Sequence, residues 1–210
     1  MNKRRLGYWF GGGKLPNGDG RAVRAGRTLR IKPPMEICSR GLHYSKHPMD
    51  ALSYANTNSL WLIEDCGDLK DVINQSDKSC TFARKHIKKI DAESVLRSFA
   101  RWCALRVIDK WYAPEIVIRY LKTGDESIRS AARSAAWAAA RDAARSAARS
   151  AAWAAARDAA WDAAWAAAWA AARSAARDAA WVAAGDAAWA AEKKAQRKKL
   201  KQMIDKAFGL

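Results

Sequence analysis

The segment Cys38-Ser39-Arg40-Gly41-Leu42-His43-Tyr44-Ser45 brings a thiol, a guanidinium, an imidazole and a hydroxyl together, and Tyr54 follows shortly after. An imidazole next to a hydroxyl near the end of a strand can orient a ligand, or take up a proton given a suitable environment. Lys78 and Arg84 add cations from a later basic stretch that also holds Lys85, Lys88 and Lys89. Arg40, His43, Ser45, Tyr54, Lys78 and Arg84 therefore form a candidate pocket for a nucleotide or another small molecule, with catalysis open as an extension. No acid at a recognisable spacing completes a triad, and Ser45 is not set in a nucleophile-elbow pattern, so no catalytic residue is assigned. Cys38, His43 and His47 lack a fourth metal ligand, so neither a metal nor a cofactor is assigned. Gly11-Gly12-Gly13 and Gly18-x-Gly20 lack the lysine-hydroxyl ending of a phosphate loop and are read as turns.

The second chemistry-bearing pattern is a tetrad repeat. From Arg129 to Trp189 nearly every fourth residue is Trp or Arg, and almost everything between is Ala, Ser or Asp; the register breaks at Gly185. A helix turns once per ~3.6 residues, so a four-residue row drifts by about 40° per step and winds around the rod. Tryptophan and arginine are enriched at protein interface hot spots. Trp137, Trp153, Trp161, Trp165, Trp169, Trp181 and Trp189 are accordingly the candidate anchors for a protein partner or for self-association. The same residue pair can stack on bases and grip phosphates, which makes nucleic acid a second partner class.

The formal net charge of +17 is unevenly placed. Residues 1–124 carry a balance of +11, residues 125–192 a balance of zero and residues 193–210 a balance of +6. The Arg-rich repeat is thus neutral, and nucleic-acid binding, if present, belongs to the basic N-terminal domain and to Lys193, Lys194, Arg197, Lys198 and Lys199. The same cations also suit a solvated helix end, where they complement the helix dipole.

The elements that would position these residues follow from periodicity and turn residues. Strands are expected over residues 6–10, 27–32, 37–44, 59–63 and 81–90, with a weaker one over 69–73 and a short helix from Pro48. Asp91 can cap a helix with a broad apolar face that runs until Ala113-Pro114 breaks it. A second helix over residues 115–122 stops at Gly124, and Asp125 caps the repeat. From Asp125 to Ala184 there is neither Gly nor Pro, and alanine has the best helix propensity. Seven tryptophans along one rod would leave much apolar surface wet, so the repeat is expected to pack against itself, the N-terminal domain, another copy or a partner.

The expected architecture is α+β: a small mixed α+β domain (residues 1–90), a two-helix connector (91–124), an all-helical Ala/Trp/Arg-rich repeat region (125–192) and a basic helical tail (193–210). The four cysteines have wide, irregular spacing, which fits reduced thiols in cytoplasm. No long uncharged apolar run implies a membrane span.

Several residues carry a resemblance: Cys38-Ser39-Arg40-Gly41-Leu42-His43, Tyr54-Ala55, Leu60-Trp61-Leu62-Ile63, Gly67-Asp68 and Asp77-Lys78 through Arg84. Together they resemble a family of uncharacterised phage and prophage proteins with a Cys-x-x-Gly-Leu-His signature and Ala-rich tetrads of variable length. A related element is similar to the C-terminal part of phage proteins called protectors from prophage-induced early lysis. Asn56-Thr57-Asn58 departs from the Gly/Pro turn of relatives. The helical part is more faintly similar to Ala-rich immunity-type proteins that neutralise a toxin by binding. The resemblance implies a phage context and no mechanism. The resulting expectation is a non-enzymatic phage or prophage accessory protein, cytoplasmic in the host cell, that binds a host or phage macromolecule through its Trp/Arg surface.

Overall fold

The computed structural model describes residues 4–16, 19–37, 39–110, 112–161 and 189–210. The chain divides into two compact units, one formed by residues 1–99 with 195–210 and the other by residues 100–194. The second unit is thus inserted in the first in chain order. The basic tail, expected as a segment apart, folds largely with the N-terminal residues.

The first unit is α+β and antiparallel. Its main sheet has the order β1–β4–β7–β2, with β1 Leu6–Phe10, β2 Thr28–Arg30, β4 Ser59–Asp65 and β7 Ala83–Asp91. A smaller sheet has the order β3–β6–β5, with β3 Leu42–Tyr44, β5 Ile73–Asn74 and β6 Ser79–Thr81. The strand expected over residues 81–90 is β7, with Thr81 at its start belonging instead to the end of β6 in the smaller sheet. The weak strand expected over 69–73 is a single turn of 3₁₀ helix, Leu69–Asp71, before β5. Helix α1, Pro48–Leu52, starts with the His47 side chain accepting the Met49 amide at 3.1 Å.

Leu60-Trp61-Leu62-Ile63 is buried at every position, the mark of a strand covered on both faces. Pairing separates the two faces. Trp61 and Ile63 stand opposite Trp9 and Gly7, while Leu60 and Leu62 stand opposite Phe10 and Tyr8. On the first face Trp61 and Ile63 join Leu15, Val23, Leu29, Leu42 and Tyr44 in one core cluster. On the second lies α5, a helix whose described part covers residues 189–208. Its Leu200, Ile204 and Phe208 are buried, and Phe208 meets the Tyr8 ring at 6.4 Å. Polar contacts add to this seat: Tyr8 donates its hydroxyl to Asp205 at 2.5 Å, Lys201 pairs with Asp205 at 2.5 Å, and Arg197 forms a bidentate pair with Asp50. Burial, followed by the bond to Asp205, pushes the Tyr8 hydroxyl up to about 12.

A β-bulge sets which cations face which way. Leu62 pairs with Lys88 and Ile63 with His86, so Ile87 is the extra residue. An extra residue inverts the alternation of a strand. Arg84 and His86 therefore share the first face, whereas Lys88 turns to the second and donates to the Phe208 carbonyl at 2.8 Å.

In the chain, helix α2, Glu93–Leu105, begins with Asp91 accepting the Glu93 amide at 2.9 Å. It ends well before Pro114, because residues 108–110 tighten into a 3₁₀ turn. Within the second unit, α3 (Glu115–Thr123) stops at Gly124, whose φ of 71° is the left-handed stop that glycine adopts without strain. Asp125 accepts the Ser127 amide at 2.9 Å, and α4 then runs continuously from Arg129 to Trp161. Ala132 of α4 and Val117 of α3 are buried. Arg106 joins Glu192 through two bonds of 2.9 Å.

Candidate functional site

The geometry around His43 starts with Gly41. A Cβ there would sit 1.9 Å from the Cys80 sulfur, so only glycine lets β3 approach β6 this closely. Leu42 and Tyr44 turn inward, and His43, between them on the pleat, is half-buried and opens onto two cavities. The first, about 710 Å³, is walled by Arg40, His43 and Arg84 together with Arg21, Arg30 and Lys32. The second, about 390 Å³, is walled by His43, Ser45, Tyr54 and Lys78. All six residues singled out from the sequence thus line one cavity or the other, and His43, Trp9 and Pro16 wall both.

Arg84 is the unusual group. Its side chain is 1 % exposed, one guanidinium nitrogen donates to the His43 carbonyl, and the guanidinium carbon lies 4.3 Å from the Trp9 ring centroid. Its Nε has no hydrogen-bond partner among the described residues. Asp65 stands directly across on β4, yet its carboxylate is already committed. It accepts Tyr44 at 3.0 Å, Thr81 at 2.7 Å and the Gly67 amide at 3.0 Å, and pairs with Arg5 at 3.2 Å. Among the described residues no carboxylate pairs with Arg84. Burial pushes its guanidinium down to about 9, so the group is still a cation at pH 7. A buried, unpaired charge is costly unless something neutralises it.

The rest of the first cavity has the same sign. Five cationic side chains line it against one carboxylate, Asp19, which is held by Arg21 at 2.6 and 2.7 Å. Arg40, Arg30 and Lys32 are solvent-exposed. Burial, then the charges of Arg84 and Lys78, hold the His43 imidazole below its ordinary range, so it is neutral at pH 7. In the second cavity, Ser45 is a buried residue of the wall. The Tyr54 hydroxyl donates to Asp77, and Lys78 sits 4.9 Å from the Tyr54 ring centroid.

Trp9, Arg21, Arg30 and Lys32 escaped the sequence reading. The alternation of residues 28–32 held a usable signal: Leu29 is buried and Ile31 partly so, which puts Arg30 and Lys32 on the opposite pleat face. Trp9 carried no local signal, because its place depends on pairing with β4.

The proposed partner-binding residues divide. Trp137 and Trp189 are each 66 % exposed. The side chains of Trp153 and Trp161 lie outside the described residues, as do Trp165, Trp169, Trp181 and Gly185 altogether. In the tail, Arg197 is engaged by Asp50, Lys193 lies 5.0 Å from the Trp189 ring centroid, and Lys194 and Lys198 are exposed. Lys199 is partly buried. Among the described residues no helix is long and apolar enough to cross a membrane, and no cluster of three metal-ligating side chains occurs.

No curated protein and no solved structure matches the chain. Residues 22–98, from the turn before β2 into α2 and including His43 and Arg84, match a family model described as a domain of unknown function (DUF7666).

Proposed function

We propose that the first unit is a binding module for an anionic small molecule, seated where His43 and Arg84 meet. The observation that carries this is Arg84: a fully buried guanidinium without a carboxylate, in the wall of a cavity lined by four further cations. An anion there would supply the missing counter-charge and accept from Nε. The cavity volume lies within the range of about 300–1,000 Å³ usual for ligand sites. The cationic lining of the cavity, and the lack in the sequence of an acid at a recognisable spacing to complete a triad, favour binding over catalysis. The test is calorimetric titration of the full chain with pyrophosphate and with nucleotides. Binding that weakens in Arg40→Ala and in His43→Ala, both of which leave the core intact, would support the module; heat unchanged by either substitution would overturn it.

A second function rests on Trp137 and Trp189, whose indoles are largely uncovered. Large exposed aromatic surface flanked by arginine is what interface hot spots use. In this reading the helical insert binds a host or phage macromolecule, and the protein is a phage or prophage accessory factor, as its resemblance to uncharacterised phage proteins implies. Capture of partners with the intact chain and with a chain lacking residues 133–188 tests it; an identical partner set from both would refute it.

A further inference from the structure

We infer that the ligand of this module is a nucleotide, with its phosphates in the Arg84 cavity and its base in the neighbouring cavity across His43. The inference rests on the anion-binding function proposed above and assigns a use to the second cavity.

The two cavities differ in chemistry while sharing a partition. The Arg84 cavity is cationic, with Arg21, Arg30, Lys32 and Arg40 around the buried guanidinium, which suits a charged phosphate chain and little else. The second is walled largely by rings and small groups, Phe10, Tyr44 and Tyr54 among them, with the backbone of Gly11 and Gly12. A flat, mostly apolar heterocycle matches such walls, because every base has a π-face and stacking on aromatic side chains tolerates base identity. Tyr54 is 49 % exposed, so ring surface is available to a ligand besides that over which the Lys78 ammonium lies.

Polar groups in the wall of the second cavity point the same way. Ser45 lines this cavity, which a purely anionic ligand would leave empty. Its hydroxyl is of the kind that exchanges a hydrogen bond with a ribose hydroxyl or a base edge. Asn56, on the rim, offers an amide able both to donate and to accept, the pattern that reads the edge of a base. His43 faces both cavities, and as a neutral imidazole it can donate to a phosphate oxygen on one side or accept from a sugar hydroxyl on the other.

The experiment titrates the full-length protein with four probes: pyrophosphate, adenosine, ADP and UDP. ADP or UDP is expected to bind at least about tenfold more tightly than pyrophosphate, the order expected from one stacked base. Tyr54→Ala and Ser45→Ala should reduce nucleotide affinity and leave that for pyrophosphate unchanged, whereas Arg40→Ala should weaken both. Circular dichroism establishes that each variant is folded, and Ser45→Ala removes a single oxygen from the cavity wall if Tyr54→Ala disturbs the loop. Pyrophosphate bound as tightly as either nucleotide, with no effect of Tyr54 or Ser45, would overturn the nucleotide assignment while leaving the anion site standing. Absence of binding by pyrophosphate and nucleotides alike would overturn both.

Discussion

Arg84 and His86, two residues apart on one strand, share a buried face with opposite chemical outcomes. Arg84 stays cationic without a carboxylate. If its role is to receive an anion, the group weakens the unliganded fold, so Arg84→Met should leave the urea midpoint equal or higher and abolish anion binding. A stability loss beyond about 2 kcal/mol would identify the guanidinium as structural instead. His86 is held between the edges of Trp9 and Trp61, at 5.6 and 5.4 Å. Burial, aided by the Arg84 charge, depresses its imidazole to about 3 from an ordinary 6.5. Between those pH values the unfolded chain binds the proton and the folded chain does not, so stability falls as pH drops through that window, by on the order of a few kcal/mol. His86→Phe keeps the edge contacts and removes the titration; urea unfolding from pH 7 to pH 4 should show a flatter acid limb. For His43, whose imidazole burial also lowers, a bound anion would raise the affinity for a proton. Anion affinity in the full chain should therefore increase as pH falls from 8 towards 6, a trend that His43→Gln would remove; calorimetry across that range checks it.

Among the elements, α5 does most to redefine the first unit. A sequence of seven cations within residues 193–210 invites a solvated tail. Its apolar residues Leu200, Ile204 and Phe208 recur at a spacing of four and occupy the sheet face that Tyr8, Leu60 and Leu62 present. Ile204 is fully buried, and Ile204→Ala should cost about 2–4 kcal/mol in global unfolding of the first unit. The exposed Lys198→Ala should move the same midpoint by less than about 0.5 kcal/mol. A helix whose removal left the midpoint unchanged would be a tail after all. The bulge at Ile87 works at the same scale, sending Lys88 to the face that α5 covers and Arg84 to the face of the cavity.

For the whole molecule, the division into a first unit closed by residues 195–210 and an inserted second unit has a consequence for the repeat. An insert anchored at both ends enters folding through the entropy of closing a loop, which changes only by about 0.6 kcal/mol per doubling of its length. Deleting eight residues, two tetrads, from the repeat should therefore leave thermal unfolding of the first unit and its anion binding within error of the full chain. A loss of either would mean that the repeat length is coupled to the first unit. The same architecture predicts that cleavage at a protease site engineered after residue 165 leaves the two fragments co-eluting, because the docked part of α5 holds them together without a peptide bond.

Much of the local structure was legible because it depends on near neighbours. Leu6–Phe10, Pro48–Leu52, Glu115–Thr123 with its Gly124 stop, and the start of the repeat follow from alternation, proline, glycine and alanine, all of which act within one or two turns. The α+β class and the six residues around His43 were likewise within reach, since motif and charge mark them. What remained hidden depends on contacts distant in sequence. Splitting residues 79–91 between two sheets, inverting cation direction at Ile87, exhausting Asp65 on four other groups so that Arg84 has none, and returning the basic terminus to the first sheet all follow from which strands pair and what covers them. Composition by itself determined that residues 129–161 are helical and that the net charge of residues 193–210 is positive. Only tertiary structure decided which positive charge is stranded without a partner, because burial and pairing are properties of the assembled neighbourhood and not of any residue or its spacing.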